Sequence, residues 1–178
     1  MAEENANIEI TAGKRFASNL IAALTIILCS VLILLCGLDV FSVSVGLVIA
    51  PAVLASLGII LLSNSFIQSN TVSLYLAVLF IMFAVVSILA NFVEGLSYGE
   101  LYPLYIAAPA VSSLATMLMS KNYFTHIKIA MIFGVPAFVF FMQSFGIWNW
   151  GITVAAIMMF VGVIALYATM ALRSHPEE

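Results

Sequence analysis

No charged side chain falls between residues 16 and 36, and five further apolar runs follow it, at about 42–62, 72–92, 101–119, 127–145 and 152–172, of which only 127–145 holds a charge, Lys128 beside its start. Coiled as a helix, each is long enough to cross a hydrocarbon layer of roughly 30 Å. Inside lipid the backbone must satisfy its own hydrogen bonds, so runs of this length are expected to be helices. The central part of every run is free of ionised residues. The expected fold is therefore all-α, a six-transmembrane-helix bundle over residues 16–173, with polar tails at 1–15 and 174–178.

Composition agrees with a lipid solvent. The chain has 178 residues, of which 65% are hydrophobic and 7% charged, and its mean hydropathy is +1.23. A soluble core of this size uses only part of such apolar content, and the remainder would coat a water-facing surface. The run beginning at Phe16 is read as the first span and not as a removed leader, because a leader has a shorter apolar core and a small-residue cleavage site. A net charge of −3 with five basic residues argues against a nucleic-acid partner or a polybasic lipid patch. Cys29 and Cys36 lie seven residues apart on one helical face, too far along one helix to bridge, and read as small packing residues.

Charge placement tests the number of crossings, since cytoplasmic loops collect Lys and Arg. With six spans Lys14, Arg15, Lys121, Lys128 and Arg173 share one side, while Asp39, Glu94 and Glu100 share the other. One crossing more or fewer scatters them. Both termini are expected in the cytoplasm, N-in and C-in.

Residues 49–64 partly reappear at 107–122: both contain Ala-Pro-Ala-Val, then small residues, an apolar run and a polar exit. The match suggests three helical hairpins, spans one-two, three-four and five-six, with proline at one depth in spans two and four. Pro51, Pro109 and Pro136 are expected helix kinks. Small-residue stripes, Ser18, Ala22, Thr25, Cys29 and Cys36 in the first span and Gly151, Ala155, Gly162, Ala165 and Thr169 in the last, read as faces for close helix packing.

Ionisable groups at mid-membrane depth usually mark proton relays and ion pathways, and the absence of any here argues against a pump. His126 and His175 fall on the opposite side from Asp39, Glu94 and Glu100, so no metal or haem site is expected, and no cofactor. Serines lack an acid or base at their depth, so the chain is read as non-enzymatic, without catalytic residues. The one candidate site is an outer polar vestibule: Ser87, Asn91 and Glu94 share a face of the third span, and Gln143 and Asn149 fall at similar height. Tyr98, Tyr102 and Tyr105 would wall it. On that reading Asn91→Leu leaves folding intact and tests only permeation.

The layout resembles the HdeD-like six-span membrane proteins. The similarity lies in a helix ending at Leu35-Cys36-Gly37, a short outer turn, and Val45-Gly46-Leu47 through Leu57-Gly58-Ile59, echoed by Trp150-Gly151-Ile152 through Val161-Gly162-Val163. It implies a multi-pass protein of a prokaryotic cytoplasmic (inner) membrane linked to acid or envelope stress, with no catalytic residues to carry over. Acetate and succinate permeases have a similar layout, but Ala17-Ser18-Asn19-Leu20 stands where their Asn-Pro-Ala-Pro-Leu-Gly signature belongs. The expected function is a small structural or stress-related membrane component, partnered by the lipid bilayer and by a homo-oligomer or membrane-complex partner. A passive channel or transporter for a small neutral or weakly acidic solute, and a substrate-binding or accessory subunit of a larger membrane complex, stay open as alternatives.

Overall fold

A computed structural model of the chain describes residues 12–38, 40–41 and 43–174. Most of the two tails, Asp39, Ser42 and His175 lie outside the described residues, as do the side chains of Ala12, Ala168 and residues 170–174. Six helices follow one another: α1 (Ala12–Gly37), α2 (Val45–Gln68), α3 (Thr71–Phe92), α4 (Tyr98–Met117), α5 (Tyr123–Ser144) and α6 (Trp150–Ser174). Among the described residues there is no strand. Five of the helices, all but α4, are long and apolar enough to cross a membrane. Their outer faces carry large apolar side chains such as Phe16, Leu28 and Met159, each about 70% exposed. Exposed apolar surface on this scale is that of a membrane-embedded protein.

The helix ends differ from the sequence expectation where polar residues stay helical. Ser63, Asn64 and Ser65 read as the start of a loop, yet α2 continues to Gln68. The Ser63 hydroxyl donates to the Ile60 carbonyl at 2.8 Å and the Ser65 hydroxyl to Leu62 at 2.7 Å, so both are satisfied without leaving the helix. The turn then closes in two residues. Ser69 takes a left-handed conformation with φ 51°, and Asn70 caps α3 by accepting from the Val72 and Ser73 amides at 2.9 and 3.3 Å.

Helices α1 to α5 run antiparallel to their neighbours in sequence. Ser18 bonds Asn64 at one end of α1 and α2, while Cys36 and Val48 line a common cavity at the other. Asn91 reaches Leu47 between α3 and α2, and Tyr102 reaches Gln143 between α4 and α5. Among the described residues each helix packs only against its neighbours in sequence, and α1 does not meet α6. The arrangement is an open row of helices and not a closed ring. Packing is most extensive between α2 and α3 and between α4 and α5, and weakest between α5 and α6. The closest partnerships thus fall across the boundaries of the expected hairpins.

Burial shows which small-residue faces are used. On α1 Ser18, Ala22, Thr25, Cys29 and Cys36 are all buried or half-buried, and Leu20, Leu24, Leu28, Leu32 and Leu34 between them are exposed. The α6 stripe behaves differently: Gly151, Ala155, Gly162, Ala165 and Thr169 are all exposed, and the inward face is Thr153, Ala156, Ile157 and Phe160. The tightest approach is at Gly58. A Cβ there would lie 3.1 Å from the Ile81 amide nitrogen and 3.2 Å from the Ala77 carbonyl, so only glycine lets these backbones come so near.

Pro51, Pro109 and Pro136 lie within continuous helices, as does Pro103. The two prolines of the repeated tetrapeptide are not level. Asn91 bonds both Leu47 and Tyr98, which sets the beginnings of α2 and α4 at one height. Pro51 follows Leu47 by four residues, whereas Pro109 follows Tyr98 by eleven. Pro103 is the residue level with Pro51, and Pro109 lies six residues, about 9 Å, further along.

Candidate functional site

Proline in a helix removes the amide that would bond the carbonyl four residues earlier. For Pro51 that carbonyl belongs to Leu47, and the Asn91 side chain on α3 donates its Nδ2–H to it at 2.9 Å. A side chain from the next helix thus supplies the donor that Pro51 lacks, one of the ways a proline is tolerated in a membrane helix. The Asn91 Oδ1 in turn accepts from the Tyr98 hydroxyl of α4 at 3.0 Å. One amide therefore ties three helices together.

The tyrosines of α4 continue the pattern on both sides. Tyr105 packs its ring against Phe83 of α3, with centroids 5.3 Å apart, and places its hydroxyl 3.4 Å from Ser87. Tyr102 turns the other way. Its ring meets Phe140 of α5 edge-on at 5.7 Å, and its hydroxyl donates to Gln143 at 2.7 Å. Ser144 adds a bond from α5 to the Glu100 carbonyl at 2.6 Å. A belt of hydrogen bonds thus crosses α2, α3, α4 and α5 at one end of the row.

The α4 polarity that keeps this helix from matching a lipid span has local partners. Ser112 donates to the Ala108 carbonyl at 2.8 Å and Thr116 to the Ser112 carbonyl at 2.7 Å. Both are buried, as are Leu101, Pro103, Ala108 and Ala110. The Glu100 carboxylate accepts from the Ser97 amide at 2.8 Å at the start of α4, where a negative charge also suits the helix dipole. Ser113 Oγ and His126 Nδ1 are buried without a partner among the described residues.

The five vestibule residues are placed as follows. Ser87 and Asn91 sit in the belt, and Glu94 joins Asn91 in lining an open recess with Ser44, Leu47 and Val93. Gln143 belongs to the belt through Tyr102 and does not line that recess. Asn149 caps α6, its Oδ1 accepting from the Ile152 amide at 3.0 Å. Against the expectation that Asn91→Leu leaves folding intact stands a cost in stability, because the substitution strips the Leu47 carbonyl of its donor and Tyr98 of its acceptor. The sequence marks Pro51 as a kink but does not identify the partner of the carbonyl it frees, since Leu47 and Asn91 meet across 44 positions of chain. Among the described residues no three His, Cys, Asp or Glu side chains gather as a metal site.

No family model, curated protein or solved structure matches the chain.

Proposed function

We propose that this chain is a non-enzymatic, multi-pass structural component of a prokaryotic cytoplasmic membrane, with six crossings and both termini in the cytoplasm. The observation that carries the reading is the hydrogen-bonded belt: Ser87, Asn91, Tyr98, Tyr102, Tyr105 and Gln143 engage one another or neighbouring backbone across four helices. Side chains held in this way tie helices together instead of presenting free donors to a passing solute. α4 crosses as the sixth span because it stands between α3 and α5, where Ser112, Ser113 and Thr116 are buried and the hydroxyls of Ser112 and Thr116 are bonded to carbonyls of their own helix. The cations Lys14, Arg15, Lys121 and Lys128 fall at the opposite end of the row from Glu94 and Glu100, which supports the N-in orientation.

The loose attachment of α6 and its exposed Gly162 and Ala165 support assembly with a second copy or a membrane partner along that helix. The hairpin likeness to HdeD-like proteins adds acid or envelope stress as the setting. Proteoliposomes containing the purified chain are expected to pass acetate and glycerol no faster than empty vesicles. Native mass spectrometry from mild detergent is expected to show a homo-oligomer or a stable complex. Facilitated flux together with a monomer would replace this reading with a channel.

A further inference from the structure

Over α2, in the gap between α1 and α3 beside the α1–α2 connection, there is an open cavity of about 460 Å³, lined by Leu32, Cys36, Phe41, Pro51, Ala55 and Ile88 among others. Its lining is apolar throughout, and its size lies in the roughly 300–1,000 Å³ range of small-molecule sites. Pro51 contributes to that character. Its ring has no N–H, and the carbonyl it frees is bonded to Asn91. The recess that holds Glu94, of about 370 Å³, adjoins the cavity through two shared lining residues, Val43 and Phe92.

The two spaces lie side by side, an apolar slot over α2 and a polar mouth at Glu94. The Asn91 side chain already bonds Leu47 and Tyr98, so among the described residues Glu94 and Ser44 are the groups the mouth offers a ligand. An ionised carboxylate only accepts hydrogen bonds, and Ser44 makes no side-chain capping bond to α2. Acceptors of this kind at the mouth favour a head group that is cationic and rich in donors. We propose that this site binds one long-chain amphiphile with a primary ammonium head, its chain in the slot beside Cys36 and Pro51 and its head at Glu94. The site is independent of the structural role argued above and stands whether or not the chain forms oligomers.

Photo-crosslinking in phosphatidylcholine nanodiscs tests it. The probes are a long-chain alkylamine carrying a diazirine at the chain terminus and the matching alkyl carboxylate. The amine probe is expected to label peptides spanning Leu32 to Cys36 and Pro51 to Ala55 about tenfold more than the carboxylate probe, the ratio a single charge-assisted contact supports. Glu94→Gln, an exposed change that leaves the slot intact, is expected to bring that ratio close to one. Ala55→Phe, checked for native helix content by circular dichroism, is expected to remove labelling from the slot for both probes. Equal labelling by the two probes, a preference that survives Glu94→Gln, or labels spread over the outer faces of α1 and α6 would each overturn the proposal.

Discussion

Asn91 and Pro51 form the most informative residue pair in the molecule, since each explains why the other is tolerated. A proline seven residues into α2 leaves the Leu47 carbonyl without its helical donor, and an amide in a lipid-facing helix needs partners of its own. Interhelical hydrogen bonds in membranes are worth roughly 0.6 kcal/mol on average and up to about 1.7, while an unsatisfied group costs about 1–3 kcal/mol. Asn91→Leu is therefore expected to lower the unfolding free energy in bicelles by about 1–2 kcal/mol. Pro51→Ala restores an amide to the Leu47 carbonyl, so in that background the loss of Asn91 should cost markedly less. A double-mutant cycle measures the difference, and equal costs in both backgrounds would show that the two residues are not coupled.

At the scale of elements the contact of α2 with α3 depends on Gly58. Its missing side chain admits backbone atoms of Ala77 and Ile81, and overpacking such a contact costs about 1–3 kcal/mol. Gly58→Ala is expected to lower the thermal midpoint in detergent, while Gly134→Ala serves as its control: a Cβ at 134 meets Ala110 at an ordinary 3.6 Å. Equal midpoints for the two variants would mean that α2 and α3 are less closely apposed. The existence and order of the helices were legible, because six apolar runs of bilayer length, none charged in its central part, leave the backbone little choice. The α1 stripe was legible for a similar reason, as its only adjacent helix in sequence is the one it packs against. On α6 the same logic failed. Thr153, Ala156, Ile157 and Phe160 face inward, and helical spacing alone does not say which of two stripes meets a neighbour. The α2 end was misplaced because serines that bond back to their own helix look, in sequence, like loop serines. The belt was legible only as a group of polar residues at one height; its pairings join residues up to 44 positions apart, and no local pattern encodes them.

For the whole molecule the consequence is an open row whose middle helix is its most polar. α4 is flanked by α3 and α5, and its Ser112, Ser113 and Thr116 are buried there. This frees the row to include a helix with two prolines, three tyrosines and a capped glutamate. It also leaves α1 and α6 as the two unshared edges. Six crossings bring the described cations to one side of the membrane; five would divide them and send the termini to opposite compartments. The direct measurement is labelling of single cysteines at Gly95 and at Ser120, on either side of α4, in a chain with Cys29 and Cys36 replaced by alanine. With a membrane-impermeant maleimide added outside oriented vesicles, one of the two positions is expected to react freely and the other only after the membrane is opened. Reaction of both from the same side would contradict the account, because α4 would then not cross.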